Sequence, residues 1–194
     1  MNFFKDLDHA IRIVVNVTPH SITYKNGSIN LSKIEKIAKI LSNMESCGKK
    51  IIIVSSGAIG IGINKLNLNE NLKSIKIQHT AAAVGQCELI SMYSKFFEEY
   101  NYTIGQVLLT GDVLKNTHAR INICNTFDIL IKNKIIPIVS ENYPFTIDEI
   151  NNIVNLTTIV SKLFRADISV NFLDIEYFYS KYKLQGSSKQ YDII

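Results

Sequence analysis

Five runs of strand length punctuate the chain, and each is apolar almost throughout: "IRIVVNV" (11 to 17), "KIIIVSS" (50 to 56), "IGQVLLT" (104 to 110), "KIIPIVS" (134 to 140) and "DISVNFL" (167 to 173). Continuous rather than alternating apolar runs are expected of strands covered on both faces, as in a parallel sheet. Between the runs the apolar positions change to a helical period. "LSKIEKIAKILSNMESCG" puts Leu31, Ile34, Ile37, Ala38 and Leu41 on one stripe, offers Asn30 as N-cap and stops at Gly48. "IKIQHTAAAVGQCELISMYSKFFEEY" and "HARINICNTFDILIKN" repeat that period. The alternation predicts an α/β domain with helices on both faces of one sheet. "SKYKLQGSSKQYDII" is polar and contains Gly and Ser, so a domain over 1–180 and a poorly ordered tail over 181–194 are expected.

Composition narrows the function classes. With 194 residues, 46% hydrophobic and 20% charged, the chain has enough apolar side chains for one sizeable core. The formal net charge of +4 comes from lysines spread along the sequence without interleaved aromatics, which argues against a nucleic-acid partner. Cys47, Cys87 and Cys124 are odd in number and far apart, without metal-ligand spacing. Neither a disulfide framework nor a metal site is expected, and the reducing cytoplasm is the compartment that fits. "MNFFKDLDHAIRIVV" carries acids and a histidine before a short apolar run, so it reads as neither signal peptide nor membrane span.

In open α/β sheets ligands collect beyond the carboxyl ends of the strands. The loop after Val54 is the first candidate. Ser55, Ser56 and Gly57 leave the strand, and Gly60 and Gly62 allow the backbone to pass close to a ligand or to another helix. A strand, a small-residue loop and a helix start can hold an anion on backbone N–H groups. The same glycines also suit tight helix packing, and both readings stay open. There is neither a GxxxxGK[ST] P-loop nor a GxGxxG fingerprint.

Taken with "HTAAAVGQ" (79 to 86), "QVLLTGD" (106 to 112), "NICNTF" (122 to 127) and "IPIVSEN" (136 to 142), that loop resembles the glutamate 5-kinases of the amino-acid kinase family. The resemblance runs from Ile11 to about Ser180. It implies a three-layer αβα sandwich with a largely parallel sheet, C-terminally incomplete. It also implies transfer of the ATP γ-phosphoryl group to the side-chain carboxylate of glutamate with Mg²⁺, in proline biosynthesis. Self-association into a homo-oligomer is expected on the same ground. Carried over residue by residue, Ser56, Gly57 and Ala58 match the loop that binds the acidic substrate, and Asn142 matches a second substrate segment. Asp174 matches the nucleotide segment.

Other positions depart from the pattern. Asn16 stands where the family has the lysine that neutralises the transferring phosphate, and Thr18 and Pro19 replace the following glycine and serine. Tyr143 replaces a substrate-segment aspartate, with Pro144 next to it, and Asn152, Ile153, Val154 and Asn155 take the place of a polar metal-organising segment. Leu173, Glu176 and Tyr177 depart from the nucleotide segment, while Tyr179 keeps to it. No metal ligand is assigned, and ATP and Mg²⁺ are expected to bind weakly at best. His20 is too short and too often neutral to substitute for lysine. Asp112 reads either as a family acid or as a helix N-cap.

Among the other candidates, Asn122 and Asn125 are expected on a helix facing the pocket, one of them bonding buried backbone. His79 and His118 are expected to be structural or surface residues, and Cys87 and Cys124 small core residues. Three functions are compatible with this pattern: a glutamate 5-kinase homologue with lost or weakened catalysis, an active kinase using a relocated cation such as Lys49, Lys50 or Lys65, and a non-catalytic regulatory or partner-binding subunit.

Overall fold

The computed structural model of the chain describes residues 3–24, 26–68, 74–110, 113, 116–142 and 153–184. Asp112, Tyr143, Pro144 and Asn152 lie outside the described residues, as do the side chains of Ile153, Val154, Asn155 and Tyr179. Five strands, β1 (Arg12–Val17), β2 (Lys50–Ser55), β3 (Thr103–Leu109), β4 (Ile135–Glu141) and β5 (Ile168–Asn171), form one sheet in the order β3-β4-β2-β1-β5. Every pairing is parallel, with Arg12 opposite Lys50, Val54 opposite Val139 and Asn16 opposite Asn171.

The helices are α1 (Phe3–His9), α2 (Pro19–Ile22), α3 (Leu31–Ser46), α4 (Ala58–Leu66), α5 (Ile75–Glu98), α6 (Thr117–Lys132), α7 (Ile153–Phe164) and α8 (Phe172–Leu184). Successive strand residues point to opposite faces, and the sheet therefore feeds two cores. Ile13, Val15, Ile51 and Ile53 meet Ile37 and Leu41 of α3 and Leu89, Tyr93 and Phe97 of α5. Val14, Ile52, Val54 and Val139 meet Phe127 of α6 and Val160 and Phe164 of α7. This is the expected three-layer αβα sandwich. β-Branched strand residues suit both covered faces, and Asn30 and Asn116 cap α3 and α6 by accepting the Lys33 and Ala119 amides at 3.2 and 3.0 Å.

Two expectations are corrected. β3 is an edge strand, and Gln106 and Leu108 are exposed on it, so it is not covered on both sides. The run "DISVNFL" is not one strand: the chain leaves β5 at Asn171, and Phe172 and Ile175 turn into the first core on a helical spacing. A short apolar run does not distinguish strand from helix by period alone. α8 also continues past position 180, to Leu184. Among the described residues no helix is long and apolar enough to cross a membrane.

Candidate functional site

The chain leaves β2 through α4 and α5 on one face of the sheet, and leaves β4 through α7 on the other. β2 and β4 are neighbours whose outgoing connections diverge to opposite faces, and the crevice position between their carboxyl ends is the usual ligand position in such sheets. Ser56, Gly57 and Ala58 form one wall. Ser56 is turned back onto β1, its amide and its hydroxyl both donating to the Val17 carbonyl, at 3.2 and 3.3 Å. Gly57 adopts φ 116° and opens α4 without a side-chain cap. That conformation is open only to glycine at little cost, and it leaves the first amides of α4 free of a capping side chain, as an anion site needs.

α5 presses on the same wall. A Cβ added to Gly62 would lie 1.8 Å from the Ala81 carbonyl oxygen, so the backbones of α4 and α5 touch there. Ala81 and Ala82 are buried in this contact, whereas Ala83 is exposed. Gly60 behaves differently from expectation, because nothing lies within 4 Å of the place its Cβ would take.

The opposite wall is the end of β4. Ser140 is buried and donates to the Ser55 carbonyl at 3.1 Å, and Asn142, half-buried, donates its amide to the Leu109 carbonyl at 2.8 Å. Ser55 in turn shares a 3.0 Å hydrogen bond with the Tyr93 hydroxyl. Burial pushes the Tyr93 phenol well above its ordinary pKa, the Ser55 bond offsetting part of the rise. The four substrate candidates, Ser56, Gly57, Ala58 and Asn142, thus sit at the ends of adjacent strands.

At the end of β1 the picture changes. Asn16 is 9% exposed, and its Nδ2 donates to Asn171 Oδ1 at 3.0 Å while its own Oδ1 is buried without a partner. Thr18 shares a 3.0 Å hydroxyl bond with Ser21, and Pro19 occupies the first turn of α2, where a missing N–H costs nothing. His20 is exposed on that single turn. Asp174, the nucleotide candidate, is exposed in the first turn of α8, beyond the carboxyl end of β5 and on the far side of β1 from the substrate residues. An acid there also complements the helix dipole.

Of the three lysines expected as substitute cations, Lys49 and Lys50 lie at the opposite end of the sheet. Lys49 Nζ donates to the carbonyls of Leu7, Asp8 and Ala10, closing the C-terminus of α1. Lys50 pairs with Glu45 at 3.1 Å, and both of these lysines sit at the amino end of β2. Lys65, in the last turn of α4, is ion-paired with Glu88 of α5. The cation at the carboxyl end that the sequence did not single out is Lys33, whose Nζ donates to the carbonyls of His20 and Thr23 at 2.9 and 3.0 Å. It lines a cavity of about 210 Å³ with Ser21, Lys36, Phe172 and Glu176, Lys36 and Glu176 being ion-paired. The signal available for Lys33 was its position in the first turn of α3, the long helix between β1 and β2.

Among the described residues no three His, Cys, Asp or Glu side chains cluster as a metal site. A hard cation takes several oxygen ligands, and the side chains at the ends of β1 and β5, Asn16 and Asn171 bonded to each other and Asp174 apart, do not fit Mg²⁺. Asn122 and Asn125 are both exposed, and Asn122 lines a cleft of about 270 Å³ with Leu108, Thr110 and Asn116. Neither bonds buried backbone through its side chain in the described hydrogen bonds. Cys87 is exposed rather than in the core, and Cys124 is half-buried with Sγ 3.5 Å from the Leu163 carbonyl. His79 is half-buried and His118 exposed.

Residues 12–184 match the sequence pattern of the amino acid kinase family, and the chain belongs to that family. Solved structures of the same architecture are an isopentenyl phosphate kinase of T. acidophilum (TM-score 0.55, 15% identity, 82% of this chain and 69% of that one) and a Giardia carbamate kinase (TM-score 0.58, 12% identity, 84% and 72%). At such identity they speak for the fold alone. Within the family the chain is a homologue of glutamate 5-kinase. It is 48% identical to glutamate 5-kinase of Clostridium perfringens over 181 residues, 90% of this chain and 67% of that protein. Against glutamate 5-kinase of Enterococcus faecalis it is 44% identical over 180 residues, 90% and 66%. The chain therefore spans about two thirds of the length of these relatives.

Proposed function

We propose that the chain binds glutamate in the crevice between β2 and β4, and that transfer of the ATP γ-phosphoryl group to the glutamate side-chain carboxylate is lost or greatly weakened. The substrate wall keeps its free helix amides and its glycine conformation, which suit a carboxylate. The observation that carries the second half is Asn16. Phosphoryl transfer relies on positioning and on cations facing the phosphate oxygens, and Asn16 offers a neutral amide already bonded to Asn171. Loss of one preorganised group facing transition-state charge lowers a rate by about 10²- to 10³-fold. The test is γ-glutamyl hydroxamate formation with ATP and Mg²⁺. The wild-type chain is expected to stay at background and the Asn16→Lys variant to rise above it. Wild-type turnover at the ~1–100 s⁻¹ usual for kinases would overturn the reading.

A second reading, a working kinase with a relocated cation, is favoured by one observation: Lys33 and Lys36 line the cavity beyond β1 and β5. On that reading the wild-type chain forms hydroxamate and Lys36→Met abolishes it.

A further inference from the structure

One turn of α5 touches both walls of the crevice. Gly85 lies against the start of α4, where an added Cβ would stand 1.8 Å from the Ala58 carbonyl oxygen. The next residue, Gln86, reaches the other wall: its Nε2 donates to Ser140 Oγ at 3.2 Å, and Ser140 Oγ donates to the Ser55 carbonyl at 3.1 Å. Ser55 and Ser140 are each 2% exposed, so water does not substitute for these partners. The registered pairing of β2 with β4 ends at Val54 and Val139. At that point, where the ligand is placed, the Ser140 hydroxyl ties the two strand ends together through the Ser55 carbonyl. A hydroxyl has one proton. Once Ser140 has given its proton to Ser55, only a donor at position 86 completes the bridge.

We propose that Gln86 is a positioning residue for the acidic ligand. Through Ser140 it fixes the separation of the Ser56–Ala58 wall from the Glu141–Asn142 wall, while Gly85 holds the first wall against the same helical turn. Side chains on both walls that meet one ligand must keep their spacing to a fraction of an ångström. The proposal rests on the reading that the crevice takes glutamate, and it adds what sets the width of that crevice.

The test is calorimetric titration of glutamate into the wild-type chain, Gln86→Leu and Gln86→Glu, from about pH 7.5 down to about pH 4.3, the ordinary midpoint of a glutamate carboxyl, with hydrogen exchange of the crevice amides alongside. Gln86→Leu is expected to weaken binding about tenfold, the size of one lost hydrogen bond. Gln86→Glu is isosteric, but its carboxylate accepts the Ser140 proton and pulls it off the Ser55 carbonyl. Its binding should fall at pH 7 and return toward the wild-type value at each lower pH, as the protonated carboxyl becomes a donor again. A residue with only a structural role would lower the thermal midpoint and show no such recovery. Unchanged affinity in Gln86→Leu, or a Gln86→Glu variant that tracks wild type at every pH, overturns the proposal. If the wild-type chain itself binds no glutamate, the functional reading fails. Hydrogen exchange then decides separately: Gln86→Leu should speed exchange at 56–58 and at 141–142 together, and no change there overturns the bridge.

Discussion

Two neighbouring strand ends, those of β2 and β1, are built in opposite ways. The end of β2 keeps a glycine in a conformation other residues avoid, a buried serine turned onto β1, and a helix packed backbone to backbone against α5. The end of β1 holds an asparagine bonded sideways to β5, followed by a threonine and a proline that begin a single helical turn. The requirements of the first region are steric and conformational, and the core enforces them. Those of the second are electrostatic: a cation facing a phosphate does little for the fold and is replaced at small structural cost. The contrast is what the proposed function rests on: a ligand shelf at one strand end and a neutral asparagine in place of a cation at the next.

The contrast can be broken most forcefully at Gly62. An added methyl meets the Ala81 backbone rather than a movable side chain, so Gly62→Ala should cost about 3 kcal/mol and shift the shelf, visible as a lowered denaturant midpoint. Gly57→Ala forces a Cβ into φ 116° and should cost about 2 kcal/mol, with glutamate affinity falling along with stability. At the other strand end the effect is smaller. Asn171→Val leaves both amide atoms of Asn16 without partners and should cost about 1 kcal/mol, whereas Asn16→Val combined with Asn171→Val should be neutral or stabilising. A double variant clearly less stable than the single one would mean that the pair has a further role.

The smallest effect lies at the amino end of the sheet and serves as a control. The Arg12 and Ile11 amides, each donating to Asp167 at 2.8 Å, hold its carboxyl below its ordinary pKa. The folded state therefore favours the ionised form. This contribution is present above about pH 4 and is lost as pH falls through the lowered folded-state value. Asp167→Asn should flatten the acid limb of a stability curve slightly and leave glutamate binding unchanged.

Much of the fold was legible because continuous apolar runs and a 3.6 period are what two covered sheet faces and amphipathic helices require; α3, α5 and α6 and all five strands fall within a few residues of expectation. α2 was not, being a single turn begun by a proline, and α8 was hidden because Phe172 and Leu173 prolong the apolar run of β5. The placement of Ser56, Gly57 and Ala58 at the turn from β2 into α4 was legible from the order of strand, small-residue loop and helix. Lys49 and Lys50 turned out to lie at the amino end of β2, because nearness in sequence to a loop does not say at which end of a strand a side chain lies. Gln86 closes the quoted motif "HTAAAVGQ", but its contact was not legible: a polar residue on a long helix reads as solvent-facing until its Ser140 partner is seen.

The most direct measurement is thermal unfolding of the purified chain with glutamate, and separately with ATP and Mg²⁺, across a concentration series. A ligand that binds only the native state stabilises it by mass action, by about 2.7 kcal/mol at one hundred times its dissociation constant. The account predicts a midpoint that climbs with the logarithm of glutamate concentration and stays nearly fixed with the nucleotide. A climb of equal size with ATP and Mg²⁺ would contradict it, since the phosphate side would then have kept its binding despite Asn16.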